Sequence, residues 1–170
     1  CTGSQVVTVN VPACLTDVDF NTWQQAGQPA NGNWVVQAGG SQVRQTINGA
    51  PTFYVTPVDY INVRIKGRMR TTDNDDDYMG FVFGFKEPLG ASNYYDTWLF
   101  DWKQGNQNSG GYLGQEGLAL SRVLGTIPSG TSTVAQTFFG HQNTPEFTLV
   151  ASQFGAGTGW TTNYDHQIEL

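Results

Sequence analysis

Charge is scarce in this chain, histidine and cysteine scarcer still, and the signals for helix are almost absent. Eight basic residues stand against fourteen acidic ones, for a formal net charge of −6. Such a balance repels phosphate backbones and argues against nucleic acid as a partner. No apolar run approaches the roughly 18 residues that a membrane span needs, so no membrane span is expected. The glutamates Glu87, Glu116, Glu146 and Glu169 are isolated from one another, without the close carboxylate pair of a retaining glycosidase. Neither His141 nor His166 is accompanied by a Gly-x-Ser-x-Gly nucleophile elbow. His141 reads as a hydrogen-bonded loop residue and His166 as a surface strand position, and no enzymatic activity is expected. No Asn-x-Ser/Thr acceptor occurs, so glycosylation gives no clue to compartment.

The two cysteines, Cys1 and Cys14, flank the alternating segment Val6-Val7-Thr8-Val9-Asn10-Val11. A disulfide between them would tie this arm back on itself in an oxidising compartment. The other reading is two unrelated thiols. A chain opening on Cys fits a processed end, and after a lipobox it would fit a bacterial lipoprotein. Residues 1–20 are read as an N-terminal β arm and residues 21–170 as one domain, since no composition break or repeat divides the remainder.

What is present is strand pattern. Over residues 60–70, Ile61, Val63, Ile65 and Met69 alternate with Asn62, Arg64, Lys66, Arg68 and Arg70, which predicts a half-buried antiparallel strand. Residues 78–85 place Met79, Phe81, Phe83 and Phe85 on one side, with Gly80 and Gly84 flattening the other. Residues 95–102 place Trp98, Phe100 and Trp102 together, a set read as core packing. Shorter strands are expected at 34–37, 43–47, 118–123, 148–152 and 167–170, each bounded by Gly, Pro, Asn or Ser. Residues 103–117 and 125–136 read as loops. Many short strands predict an all-β fold, an antiparallel β-sandwich of jelly-roll type.

Between two of these strands lies Asp73-Asn74-Asp75-Asp76-Asp77. Adjacent carboxylates repel, so an ordered turn of this kind needs cations or flanking bases. Hard oxygen ligands in a flexible turn suit Ca²⁺ better than a transition metal. The competing reading is a solvated turn balanced by Arg64, Lys66, Arg68 and Arg70. An EF-hand is excluded, because the Gly and Glu of that loop are missing.

Four blocks then carry a family resemblance: Gly32-Asn33-Trp34-Val35-Val36; Val43-Arg44-Gln45-Thr46-Ile47-Asn48; Asp75 to Phe85, with Gly80-Phe81-Val82-Phe83-Gly84-Phe85; and Phe100-Asp101-Trp102-Lys103-Gln104. In this order and spacing they resemble the C-terminal lectin-like domain of thrombospondins, and weaker matches extend the likeness from about residue 31 to 170. The resemblance implies a legume-lectin-like sandwich, stabilised by calcium, extracellular or on the cell surface, and concerned with adhesion to a glycan or an extracellular protein. It also implies that Asp75, Asp76 and Asp77 bind calcium; Asp73, Asn74 and Asp101 are added from local geometry. The family's pattern continues past the point equivalent to Leu170, so the sandwich is read as incomplete. A structural subunit of an extracellular filament, its open sheet completed by a strand from another chain, is therefore the alternative.

Flat rings with polar neighbours make sugar sites, so Tyr94, Tyr95 and Tyr112 with Asn106 are candidate ligand contacts. The basic row of residues 64–70 is a candidate for sulfated glycans or a partner's carboxylates.

Overall fold

The computed structural model describes residues 16–86, 93–128 and 131–170. The expected Cys1–Cys14 bridge and most of the expected arm lie outside the described residues. In chain order the strands are β1 (Gln24–Ala26), β2 (Trp34–Gln37), β3 (Gln42–Gln45), β4 (Phe53–Val55), β5 (Lys66–Met69) and β6 (Tyr78–Phe83). There follow β7 (Tyr94–Lys103), β8 (Gln107–Ser109), β9 (Tyr112–Gly114) and β10 (Gly117–Thr126). A short helix α1 (Thr131–Val134) runs into a π-helical turn (Ala135–Phe139), and β11 (Phe147–Phe154) and β12 (His166–Glu169) end the described chain.

All the pairings are antiparallel, as an all-β sandwich with short connections requires. The centre is a four-stranded sheet in the order β11-β10-β7-β6, and β1–β4, β2–β3, β5–β12 and β8–β9 form two-stranded ribbons. Strand β7 sets the layers, because its side chains alternate strictly between the two faces of that sheet. Tyr95, Thr97, Leu99, Asp101 and Lys103 are buried on the inner face. There Tyr95 and Leu99 join Val123, Phe147, Phe138 and the β1–β4 residues Ala26, Phe53 and Val55 in one apolar core.

The outer face differs from the sequence reading. Trp98, Phe100 and Trp102 do share a face, but it is the half-buried one. Phe81 stacks on Phe100 at 4.7 Å and Phe83 on Trp98 at 6.3 Å. The β5–β12 ribbon lies over part of this surface, so that Met69, Ile168 and Leu170 face Phe81, Phe100 and Trp102 across a groove. The expected common face of Phe81, Phe83 and Phe85 breaks at Gly84, whose φ of +59° turns the chain. Phe85 thereby packs into the inner core against Phe53.

Three other expectations need correction. The strand predicted over residues 60–70 forms only at its end, and Ile61, expected to be buried, is 80% exposed. The loop expected over 103–117 contains the β8–β9 hairpin, and the loop expected over 125–136 contains α1 and the start of the π turn.

Candidate metal centre

The acidic turn joins β5 to β6, at the end of the sheet where Tyr78 pairs with Lys103. Asp75, Asp76 and Asp77 come together there: one carboxylate oxygen from each lies within 4.8 Å of the others, and each residue is partly buried. Crowding and burial have an electrostatic signature. The Asp77 carboxyl is raised above its ordinary pKa, first by burial and next by the charge of Asp75, while Lys103 opposes both.

The turn is fixed by residues distant in sequence. Lys103 reaches it from beneath, with no exposed side-chain surface. Its Nζ donates to the Asp76 carbonyl at 2.7 Å, to Asp76 Oδ1 at 3.3 Å and to Gln107 Oε1 at 3.0 Å. The rings of Tyr78 and Phe139 flank the ammonium at 5.3 and 5.1 Å. Trp160 Nε1 donates to the Asp77 carbonyl at 3.0 Å, and Asn48 donates its amide to Asp75 Oδ2. Asp73 Oδ1 accepts the Asp75 N–H at 3.3 Å, which shapes the turn without bringing Asp73 into the group of three.

These residues fit a hard divalent cation. Three carboxylates meet one ammonium, so two negative charges are left uncompensated over a set of oxygen donors. Asp75, Asp77 and the Asp76 oxygen turned away from Lys103 are the groups that would hold the ion.

Asp101, expected among the ligands, is placed elsewhere. It is buried on the inner face, with His141 Nε2 at 3.0 and 3.1 Å from its two oxygens. Burial pushes the Asp101 carboxyl above its ordinary pKa, and the hydrogen bond from His141 holds it back. The Tyr78 hydroxyl, 3.5 Å from His141 Nδ1, donates to the Phe139 carbonyl at 2.7 Å. Its own ionisation is pushed far above the ordinary range by burial and then by Asp101. This network ties the π-helical turn to the sheet, and His141, on the loop that follows the turn and hydrogen-bonded as expected there, is buried within it. His166 likewise packs on Trp102, at 4.6 Å between ring centres.

The four candidate glycan contacts do not converge. Tyr95 is buried in the core, edge-on to Phe53 and Phe138. Tyr94 starts β7, whereas Asn106 and Tyr112 lie past its other end, roughly 30 Å along a strand of that length. Asn106 Oδ1 accepts the Glu116 N–H at 2.8 Å and so shapes a loop.

Sequence reasoning missed Lys103, Asn48, Gln107 and Trp160 as partners of the turn. Lys103 was legible in part, because alternation from Leu99 and Asp101 puts it on the same face. The acceptors awaiting it were not.

Comparison with known proteins gives the chain a family. The family model described as the thrombospondin C-terminal region matches residues 29–170. Thrombospondin-2 of Mus musculus is 32% identical over 129 residues, covering 68% of this chain and 10% of the relative. Thrombospondin-2 of Homo sapiens and thrombospondin-4 of Mus musculus are each 32% identical over 100 residues, covering 55% of this chain and 8% and 10% of those relatives. The chain thus spans about a tenth of the length of the curated relatives it matches.

Proposed function

The chain belongs to the family of thrombospondin C-terminal regions, and from that premise we propose that it is a calcium-stabilised, lectin-like adhesion module of a secreted or cell-surface protein. Its ligand in this reading is a glycan or an extracellular protein. The observation that carries the reading is the convergence of Asp75, Asp76 and Asp77 on one small volume. Calcium there would supply the charge that Lys103 alone does not. It would lock the β5–β6 turn against the sheet, holding the ribbon and the loops around Asn48 and Trp160 in one arrangement for a ligand.

Thermal unfolding with calcium and with a chelator tests this. An ion at a hundredfold excess over its dissociation constant adds about 2.7 kcal/mol, which raises the midpoint of a domain this size by about 5–10 °C. Asp75→Asn combined with Asp77→Asn should abolish that rise. An unchanged midpoint in the parent chain rejects the metal.

A second reading is favoured by one observation, the apolar groove on the outer face. Val63, Phe83 and Leu170 there are between 43% and 51% exposed, and among the described residues β5, β6 and β12 each leave an edge unpaired. A strand of another chain would fill the groove and make this a subunit of an extracellular assembly. Size-exclusion chromatography over a range of concentrations decides: association supports assembly, and a stable monomer throughout rejects it.

A further inference from the structure

The outward face of the β5–β12 ribbon concentrates the chain's positive charge. Arg64, Lys66, Arg68 and Arg70 stand in a row with side chains 47–67% exposed. Pairing of Ile65 with Leu170 through both backbone hydrogen bonds carries the ribbon back past β5, so the row is extended. At two residues per step it is about 20 Å long. Arg44, also exposed, donates to Thr72 Oγ1 at 3.1 Å. Four of the chain's eight basic residues therefore lie on this face, and a fifth, Arg44 of β3, reaches the chain just beyond it.

Two acids face them from the neighbouring strand. Glu169 pairs with Arg64 and with Lys66, and Asp165 with Arg68 and Arg70. Each acid is thus shared between two cations, and Arg68 has the neutral Gln167 directly across the ribbon. The face keeps a positive surplus held by exposed ion pairs, which contribute little each and exchange readily for another anion. At physiological ionic strength the Debye length is about 8 Å, so this row is felt locally despite the net charge of −6. The ring of Tyr164 packs edge-on against His166 at 4.9 Å, on the side of the ribbon that faces Trp102, so the outward face is made of the charged row alone. Beyond Thr72 the acidic turn begins and bounds the surface.

We propose that this face binds an acidic polysaccharide, its sulfates or carboxylates lying along residues 64–70. The choice of a glycan rests on the adhesion reading above; the site itself does not involve the metal.

Binding is measured on immobilised dextran sulfate and polygalacturonate, with neutral dextran as control, in calcium and again in chelator. Retention on either acidic polymer and not on the neutral one, weakening steeply as salt rises, is expected; the two polymers separate sulfate from carboxylate recognition. Arg64→Gln with Arg68→Gln should weaken binding at least about tenfold, each arginine supplying charge-assisted hydrogen bonds. Asp165→Asn with Glu169→Gln should tighten it severalfold by releasing the cations, a gain that damage to the fold would not produce. Retention on neither acidic polymer, indifference to these variants, or equal retention by duplex DNA overturns the proposal. Because binding and thermal response to calcium are read separately, retention with no calcium response removes only the metal, and a calcium response with no retention removes only this site.

Discussion

A lysine without solvent contact is tolerated only where its donors find acceptors, and Lys103 finds three, two of them on Asp76. The residue is therefore a built-in cation for the acidic turn, and its removal has two consequences. Lys103→Met strips a buried partner from a carboxylate and a carbonyl, and should cost about 3 kcal/mol in urea unfolding. It also leaves three carboxylates with no ammonium, so the calcium-induced rise in midpoint should be larger than in the parent chain; an equal or smaller rise counts against Lys103 as the turn's cation. Asp96 gives a contrasting case. Its carboxyl lies below the ordinary range, chiefly through the hydrogen bond from Arg122. A depressed carboxyl stabilises above the unfolded pKa of about 3.9, and the gain disappears as pH falls through the lower folded value. Asp96→Asn should accordingly lower the urea midpoint at pH 6 and lower it progressively less as pH falls below about 3.9; an effect independent of pH would mean that packing, not charge, holds the pair.

Among the elements, β7 shows what alternation reveals and what it conceals. The period of two is plain in the sequence, but hydrophobicity assigns Trp98, Phe100 and Trp102 to the core. The buried face instead carries Thr97, Asp101 and Lys103, admitted because Phe83, His141 and Asp76 supply their hydrogen bonds. Partners brought from distant strands are a tertiary fact, invisible to a local pattern. The acidic turn was legible as a candidate site for the opposite reason, since its charges crowd within five consecutive residues. The β8–β9 hairpin left a local signal too: Gly110 and Gly111, with φ of +59° and +87°, form the kind of Gly-Gly turn that links strands tightly. Over residues 60–65 the apolar alternation is present, but among the described residues no strand lies opposite most of it, and a strand is defined by pairing. Gly80 tests the packing of β6 on β7. A Cβ there would lie 2.0 Å from the Phe100 carbonyl oxygen, so Gly80→Ala must push the strands apart where they carry the turn. A loss of about 3 kcal/mol is expected from such overpacking, together with a weaker calcium response; a variant as stable as the parent would show that β6 can shift freely.

Across the molecule, the described residues cover the two faces of the central sheet unequally, and stability should be unequal with them. β7 and β10 pair along their full lengths, Tyr94 with Thr126 through Lys103 with Gly117, between the inner core and the outer aromatics. The β5–β12 ribbon pairs over a short stretch, from Ile65 to Met69, borders an open groove and is held outside by exposed ion pairs. Surface pairs of this kind contribute at most about 1 kcal/mol each, and a groove with an open side buries its apolar lining incompletely. Opening the ribbon therefore gives up little of the inner core, whereas opening β7 gives up nearly all of it. Amide hydrogen exchange resolves such differences, because local openings require less free energy than global unfolding. The amides of Leu99 and Val123 should exchange only on global unfolding. Those of Arg68 and Ile168 should exchange at least about thirtyfold faster, corresponding to an opening easier by about 2 kcal/mol. Equal protection in the two regions would mean that ribbon and sheet unfold as one unit, and that the exposed edges and open groove do not make the ribbon a separately opening part of the fold.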